Sequence, residues 1–139
     1  MNDFAHVLTA DVCDRLWSNA VSASPREYAG LLAISNDGQV LIFETARETC
    51  TENTFNLSPS VFMQARKQKA TICAFFHSHP NGQAFLSAWD KSSMYMQGKP
   101  SWPGVAWCIL PLAQKYMGKV LAYTWHPHGE VFQKTWYPV

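Results

Sequence analysis

Val12, Leu16, Trp17, Ala20 and Val21 recur at helical spacing, which predicts a helix over 11–22 with one apolar face and with Thr9 or Asp11 placed to cap its start. Ser24 and Pro25 end it. The stretch 28–34 is almost continuously apolar, Asn36, Asp37 and Gly38 supply turn chemistry, and 40–43 is apolar again, so two strands joined as a hairpin are expected. Ser58 followed by Pro59 reads as an N-cap with proline in the first turn, and Val61, Phe62 and Ala65 carry a second helix to about residue 69. Residues 71–76 are apolar enough for a central strand, which runs into His77, Ser78, His79 and Pro80, where proline ends the ladder. A loop over 81–86 leads to a third helix over 87–97, and Gly98, Pro100, Pro103 and Gly104 mark another loop. Strands are expected at 105–110, 119–125 and 130–136, the last two joined by a turn at 126–129. The order of elements predicts one α+β domain over 1–139, three-layer-like, with a mixed β-sheet flanked by helices and no internal repeat.

Composition narrows the partners. With 139 residues of which 47% are hydrophobic, the chain can build one core without disulfides or a structural metal. Its 11 basic and 10 acidic residues are mixed along the chain and sum to +1, without the basic stripe that neutralises phosphates, so nucleic acid is excluded as a partner. Cys13, Cys50, Cys73 and Cys108 show no CxxC spacing, and Cys73 and Cys108 lie in apolar runs, which reads as buried, reduced thiols. No basic segment followed by an apolar stretch opens the chain and no uncharged run is long enough to cross a bilayer. The expectation is a soluble, cytoplasmic protein without a membrane partner.

The candidate chemistry begins at the end of the central strand. Side chains alternate along a strand, so His77 and His79 project to one side and Ser78 to the other. Asp90 follows His79 by eleven residues and stands one helical turn beyond Ser87, so a carboxylate and a hydroxyl share the helix face able to look back at the histidines. Two nitrogen ligands and one oxygen ligand leave a tetrahedral zinc one position for water, the catalytic rather than the structural arrangement. Each piece also has an ordinary reading: Ser87 with Asp90 is a serviceable helix cap, and histidines at a strand end are often simply solvated. All four together at random should occur on the order of once in a few thousand chains, which favours the site. A second pair, His126 and His128, flanks Pro127 beside Gly129 without a carboxylate at suitable spacing, and reads as a surface turn.

The run His77-Ser78-His79-Pro80, the seven residues from Pro80 through Leu86, Ser87, two further residues and Asp90 resemble the signature of the JAMM (MPN+) metalloprotease family. That family also carries a Glu-x-x-Gly-hydrophobic segment at its first core strand, and Glu27-Tyr28-Ala29-Gly30-Leu31-Leu32 is similar to it. Taken alone, Glu27 is one of ten acidic residues, and a glutamate at a strand start is usually exposed. The resemblance implies the JAMM/MPN, cytidine-deaminase-like fold and one Zn2+ with a catalytic water, held by His77, His79 and Asp90. It further implies Glu27 as general acid/base and Ser87 as hydrogen-bond donor to the oxyanion.

The implied partner is a ubiquitin-like protein or its conjugate, cut at the amide or isopeptide bond after its C-terminal tail, as in bacterial antiphage systems that resemble eukaryotic ubiquitination. Such a tail is expected to add to the sheet beside the metal. Trp89, next to Asp90, and Trp102, in the loop after the third helix, are candidates for the substrate groove or for the core. Two other substrates fit the same chemistry: a sulfur-carrier protein whose tail is trimmed, or a phage tail or cell-wall peptide. From a different class, a non-catalytic MPN module would hold partners through a sheet edge.

Overall fold

The computed structural model describes residues 4–125 and 132–139. Helix α1 (Ala10–Ala23) begins where Thr9 accepts a hydrogen bond from the Val12 amide at 3.3 Å, so Thr9 and not Asp11 is the cap. Its apolar stripe buries Val12, Cys13, Leu16, Trp17 and Ala20. Strands β1 (Ala29–Ile34) and β2 (Val40–Glu44) form the expected hairpin, and helix α2 (Pro59–Lys67) starts at Ser58. Strand β3 (Thr71–His79) continues through both histidines to the proline. Strands β6 (Ala106–Pro111), β7 (Val120–Trp125) and β8 (Phe132–Tyr137) complete the main sheet. His126 and His128 lie outside the described residues.

One predicted element differs. The third helix, α3, covers only Ala88–Met94, not 87–97, and the chain then forms a two-stranded hairpin, β4 (Tyr95–Met96) and β5 (Lys99–Pro100). Gln97 and Gly98 both take positive φ, 52° and 76°, which builds a two-residue turn of the primed type where a helix would need negative φ. The glycine that reads as a loop marker is the pivot of that turn.

The six-stranded sheet has the order β2-β1-β3-β6-β7-β8, with β3 and β6 parallel and every other neighbouring pair antiparallel. A parallel pair needs a crossover, and the segment between β3 and β6 that carries α3 and the small hairpin supplies it. The sheet is covered on both faces. Leu32, Phe76, Cys108 and Ala122 join the α1 residues in one core, whereas Leu31, Phe75, Trp107, Ile109 and Leu121 join Val61 and Ala65 of α2 and Met94 of α3 in the other. Burial on both sides is why β1, β3 and β6 read as unbroken apolar runs and not as alternating patterns. Cys13, Cys50 and Cys108 are buried free thiols, while Cys73, expected inside, is only partly covered near the solvent end of β3. Among the described residues no helix is long and apolar enough to cross a membrane.

Gly30 has a specific cause. A Cβ there would stand 2.1 Å from the Phe43 carbonyl oxygen and 2.7 Å from the Phe76 ring, so only glycine lets β2 and that ring approach β1 this closely. Three residues earlier stands Glu27, and the tight packing at Gly30 therefore anchors the strand that presents it.

Candidate metal centre

His77 and His79 share the β3 face with Phe75, which points them toward the side covered by α2 and α3. Asp90 is the third residue of α3, and the helix start is organised by a reciprocal cap: the Asp90 amide donates to Ser87 Oγ at 3.0 Å, and the Ser87 amide donates to Asp90 Oδ2 at 2.9 Å. The cap and the site are thus one structure. The same Oδ2 lies 3.1 Å from His77 Nε2 and 3.0 Å from His79 Nε2, and the two Nε2 atoms are 3.1 Å apart. All three residues are buried, with relative exposures of 1%, 6% and 2% for His77, His79 and Asp90.

The donor chemistry of this cluster fits a cation. His79 Nδ1 is 2.8 Å from the Gln83 carbonyl oxygen, which only accepts, so Nδ1 carries the proton and Nε2 of the neutral ring offers a lone pair. Phe55 stacks on His77 with ring centroids 4.5 Å apart and fixes that ring against the site. Lone pairs and a carboxylate oxygen converge within 4.8 Å in a place shielded from water, where only protons or a metal ion can neutralise them. Electrostatics agree. Without a cation, burial alone would raise the Asp90 carboxyl, but hydrogen bonds that His77 and His79 donate when Nε2 carries a proton hold it well below the usual carboxylate range. Burial lowers His77, while in His79 it is outweighed by hydrogen bonds to Asp90 and the Gln83 carbonyl, which push the ring up.

Glu27 stands beside this cluster. It is 4% exposed, against the usual expectation for a glutamate at a strand start, and its Oε1 has no hydrogen-bond partner among the described residues. Its backbone is fixed by the Glu27 amide donating to the Thr51 carbonyl at 2.7 Å. Burial pushes its carboxyl up to about 8, with His79 pulling back and Asp90 adding to the rise. A cleft lined by Glu27, Glu52, Asn53, His79, Pro80, Asn81, Gln83 and Ser87 opens onto the site. Glu27, His79 and Ser87 therefore face one space. Trp89 and Trp102 do not line it: Trp89 is 47% exposed, and Trp102, 40% exposed, stacks on Phe62 at 5.7 Å and meets Phe75 edge-on at 5.3 Å.

Several contributors have no signal in the sequence. Gln83 acts through its carbonyl, which every residue carries. Glu52, Asn53 and Asn81 sit in polar loops whose position follows from the fold. Phe55, a lone aromatic between polar residues 51–54 and 56, is the one hint that this loop folds back onto something.

The model of the family described as prokaryotic homologs of the JAB domain matches residues 9–125, which includes Glu27, both histidines, Ser87 and Asp90. Among the solved structures similar in fold are two solution structures. A solution structure of a protein from Desulfitobacterium hafniense is 21% identical, with 87% of this chain and 83% of that one covered and a TM-score of 0.58. A solution structure of a protein from Salinibacter ruber is 20% identical, covering 91% and 86%, with a TM-score of 0.56. No curated protein is similar enough to this chain to count as a match.

Proposed function

The chain belongs to the family of prokaryotic homologs of the JAB domain, and from that premise we propose that it is a zinc metallopeptidase cutting the amide or isopeptide bond after the C-terminal tail of a ubiquitin-like protein. The observation that carries this reading is that the buried His77, His79 and Asp90 cluster reaches, through His79, a cleft that is also lined by Glu27, whose Oε1 has no hydrogen-bond partner among the described residues. A buried carboxylate beside three converging ligands favours chemistry over a module that only holds partners through a sheet edge.

His77 and His79 through Nε2 and Asp90 through its carboxylate would hold the ion. Bound zinc supplies Lewis acidity and brings the pKa of a coordinated water down to roughly 7. Glu27 takes the proton from the attacking water and returns it to the departing amine, a lysine ε-amine when the bond is an isopeptide. Ser87 Oγ accepts from the Asp90 amide and so keeps its own proton free to donate to the carbonyl oxygen as that oxygen gains charge. The polar lining of the cleft suits an extended main chain with small residues, which hydrogen-bonds along its length, better than a bulky apolar side chain.

The test uses a ubiquitin-like precursor fused or conjugated through its tail, incubated with wild-type protein and with Glu27→Ala and followed by product mass. Cleavage directly after the tail, abolished by chelator and by Glu27→Ala while zinc stays bound, supports the reading. Undiminished cutting by Glu27→Ala, or cutting at unrelated peptide sites, overturns it.

A further inference from the structure

The β1–β3 ladder ends at the pair Ala29 and His77, two residues short of Glu27. Beyond it the main chain of Tyr28 is held by one residue. The Ser78 amide donates to the Tyr28 carbonyl at 2.8 Å, and the Tyr28 amide donates to Ser78 Oγ at 2.7 Å, so the serine hydroxyl stands where a ladder carbonyl would otherwise accept. Ser78 is 0% exposed and Tyr28 is 2% exposed, so water does not replace this acceptor. The Tyr28 side chain is anchored on the opposite face, against Phe76 at 5.1 Å and with its hydroxyl accepting from Asn19 Nδ2 at 3.2 Å. Ser78 is also the residue between His77 and His79. One buried residue, through its amide and its hydroxyl, thus ties the segment that carries Glu27 to the strand segment that carries both histidines.

We propose that Ser78 is a positioning residue, whose hydroxyl clamps the Tyr28 amide and thereby sets the Glu27 carboxylate at a fixed distance from the His77 and His79 pair. Ser78 itself points to the other face of β3 and touches neither the cleft nor the cluster, so it acts only through Glu27. The proposal rests on the peptidase reading for its kinetic half, whereas the clamp itself is read without activity.

The experiment compares zinc-loaded, 15N-labelled wild type with Ser78→Ala and Ser78→Thr. In Ser78→Ala the Tyr28 amide should exchange with solvent at least about tenfold faster while the Leu31 and Phe75 amides, inside the ladder, stay protected. Zinc content should remain that of the wild type. With a ubiquitin-like precursor, kcat should fall by roughly tenfold to a hundredfold with KM within about twofold, because the proton shuttle is misplaced and the cleft is not. Ser78→Thr, which keeps the hydroxyl, should restore both readouts. If Ser78→Ala does not fold, Ser78→Cys fills the same space with a poor acceptor and gives the same comparison. Unchanged Tyr28 exchange, zinc loss in step with activity, or an unchanged kcat despite a freed Tyr28 amide each overturns the proposal. A zinc-loaded wild type that cuts no ubiquitin-like precursor overturns the peptidase reading instead, and faster Tyr28 exchange in Ser78→Ala still upholds the clamp.

Discussion

Asp90, at the start of α3, and Glu27, just ahead of β1, are carboxylates buried to nearly the same extent, yet their surroundings drive them in opposite directions. Asp90 Oδ2 has the Ser87 amide and two imidazole nitrogens within 3.1 Å, and these hold its carboxyl well below the usual range. Glu27 has an oxygen with no hydrogen-bond partner among the described residues, and burial raises its carboxyl to about 8. Burial alone therefore does not decide the state of a carboxylate. What decides it is how many donors reach its oxygens, and the same difference separates a group fixed as an anion from one that exchanges protons near neutral pH. The first suits a metal ligand and the second a proton shuttle.

The strongest way to break the contrast is to remove the charge on Asp90 while keeping its shape. Asp90→Asn retains an oxygen for the helix cap but not the anion, and should leave purified protein without bound zinc by elemental analysis and peptidase activity below about one thousandth of wild type. Full zinc occupancy in that variant would show that the histidines do not bind metal with Asp90.

Glu27 gives the next largest effect, read on metal-free protein. Its folded value of about 8 lies above the ordinary 4.5, so between those pH values the folded state keeps a proton that the unfolded state releases. The stability that Glu27 contributes is then full below about pH 4.5 and is lost as pH rises toward 8, with a slope approaching 1.4 kcal/mol per unit and a total on the order of a few kcal/mol. Chemical denaturation across this range should show a steeper decline in wild type than in Glu27→Gln, where only the residual slope from groups such as His79 is left. Equal slopes in both proteins would mean that Glu27 titrates normally and that the contrast with Asp90 is not real.

Ser87 sharpens the Asp90 side with a smaller stability effect. Ser87→Ala removes the acceptor of the Asp90 amide and should cost about 1 kcal/mol in thermal or denaturant unfolding. The Ser87 amide still donates to Oδ2, so zinc should stay bound, while turnover should fall about a hundredfold if the hydroxyl assists the oxyanion. A variant with lowered stability and unchanged turnover would leave Ser87 as a helix cap alone.

How much of this was legible depends on sequence distance. The helices at α1 and α2, the strands and the histidine pair follow from periodicity and turn chemistry among residues close in the chain, and the Ser87 and Asp90 cap is a local contact of three residues. The same local rule fails at α2. Ser58 occupies the N-cap, but its hydroxyl makes no capping bond and instead meets Thr45 Oγ1 at 3.2 Å and Ser60 Oγ at 2.8 Å, because the chain after β2 passes beside it. Likewise the third helix stops early because its end is drawn into the small hairpin.

The sequence by itself determined the chain order of the three helices and the six strands of the main sheet, the two-sided burial of that sheet and the set of residues able to ligate a metal, since each is written in side-chain type and short-range spacing. Tertiary structure alone decided that Glu27 is buried with a free oxygen, that Gln83 fixes the His79 tautomer, that Phe55 stacks on His77 and that Ser78 holds Tyr28. The physical reason is that Glu27, Phe55 and Ser78 meet their partners across 22 to 52 residues of intervening sequence, and Gln83 acts through a backbone carbonyl. No short-range pattern records such meetings, because desolvation and main-chain hydrogen bonding depend on what the fold brings alongside.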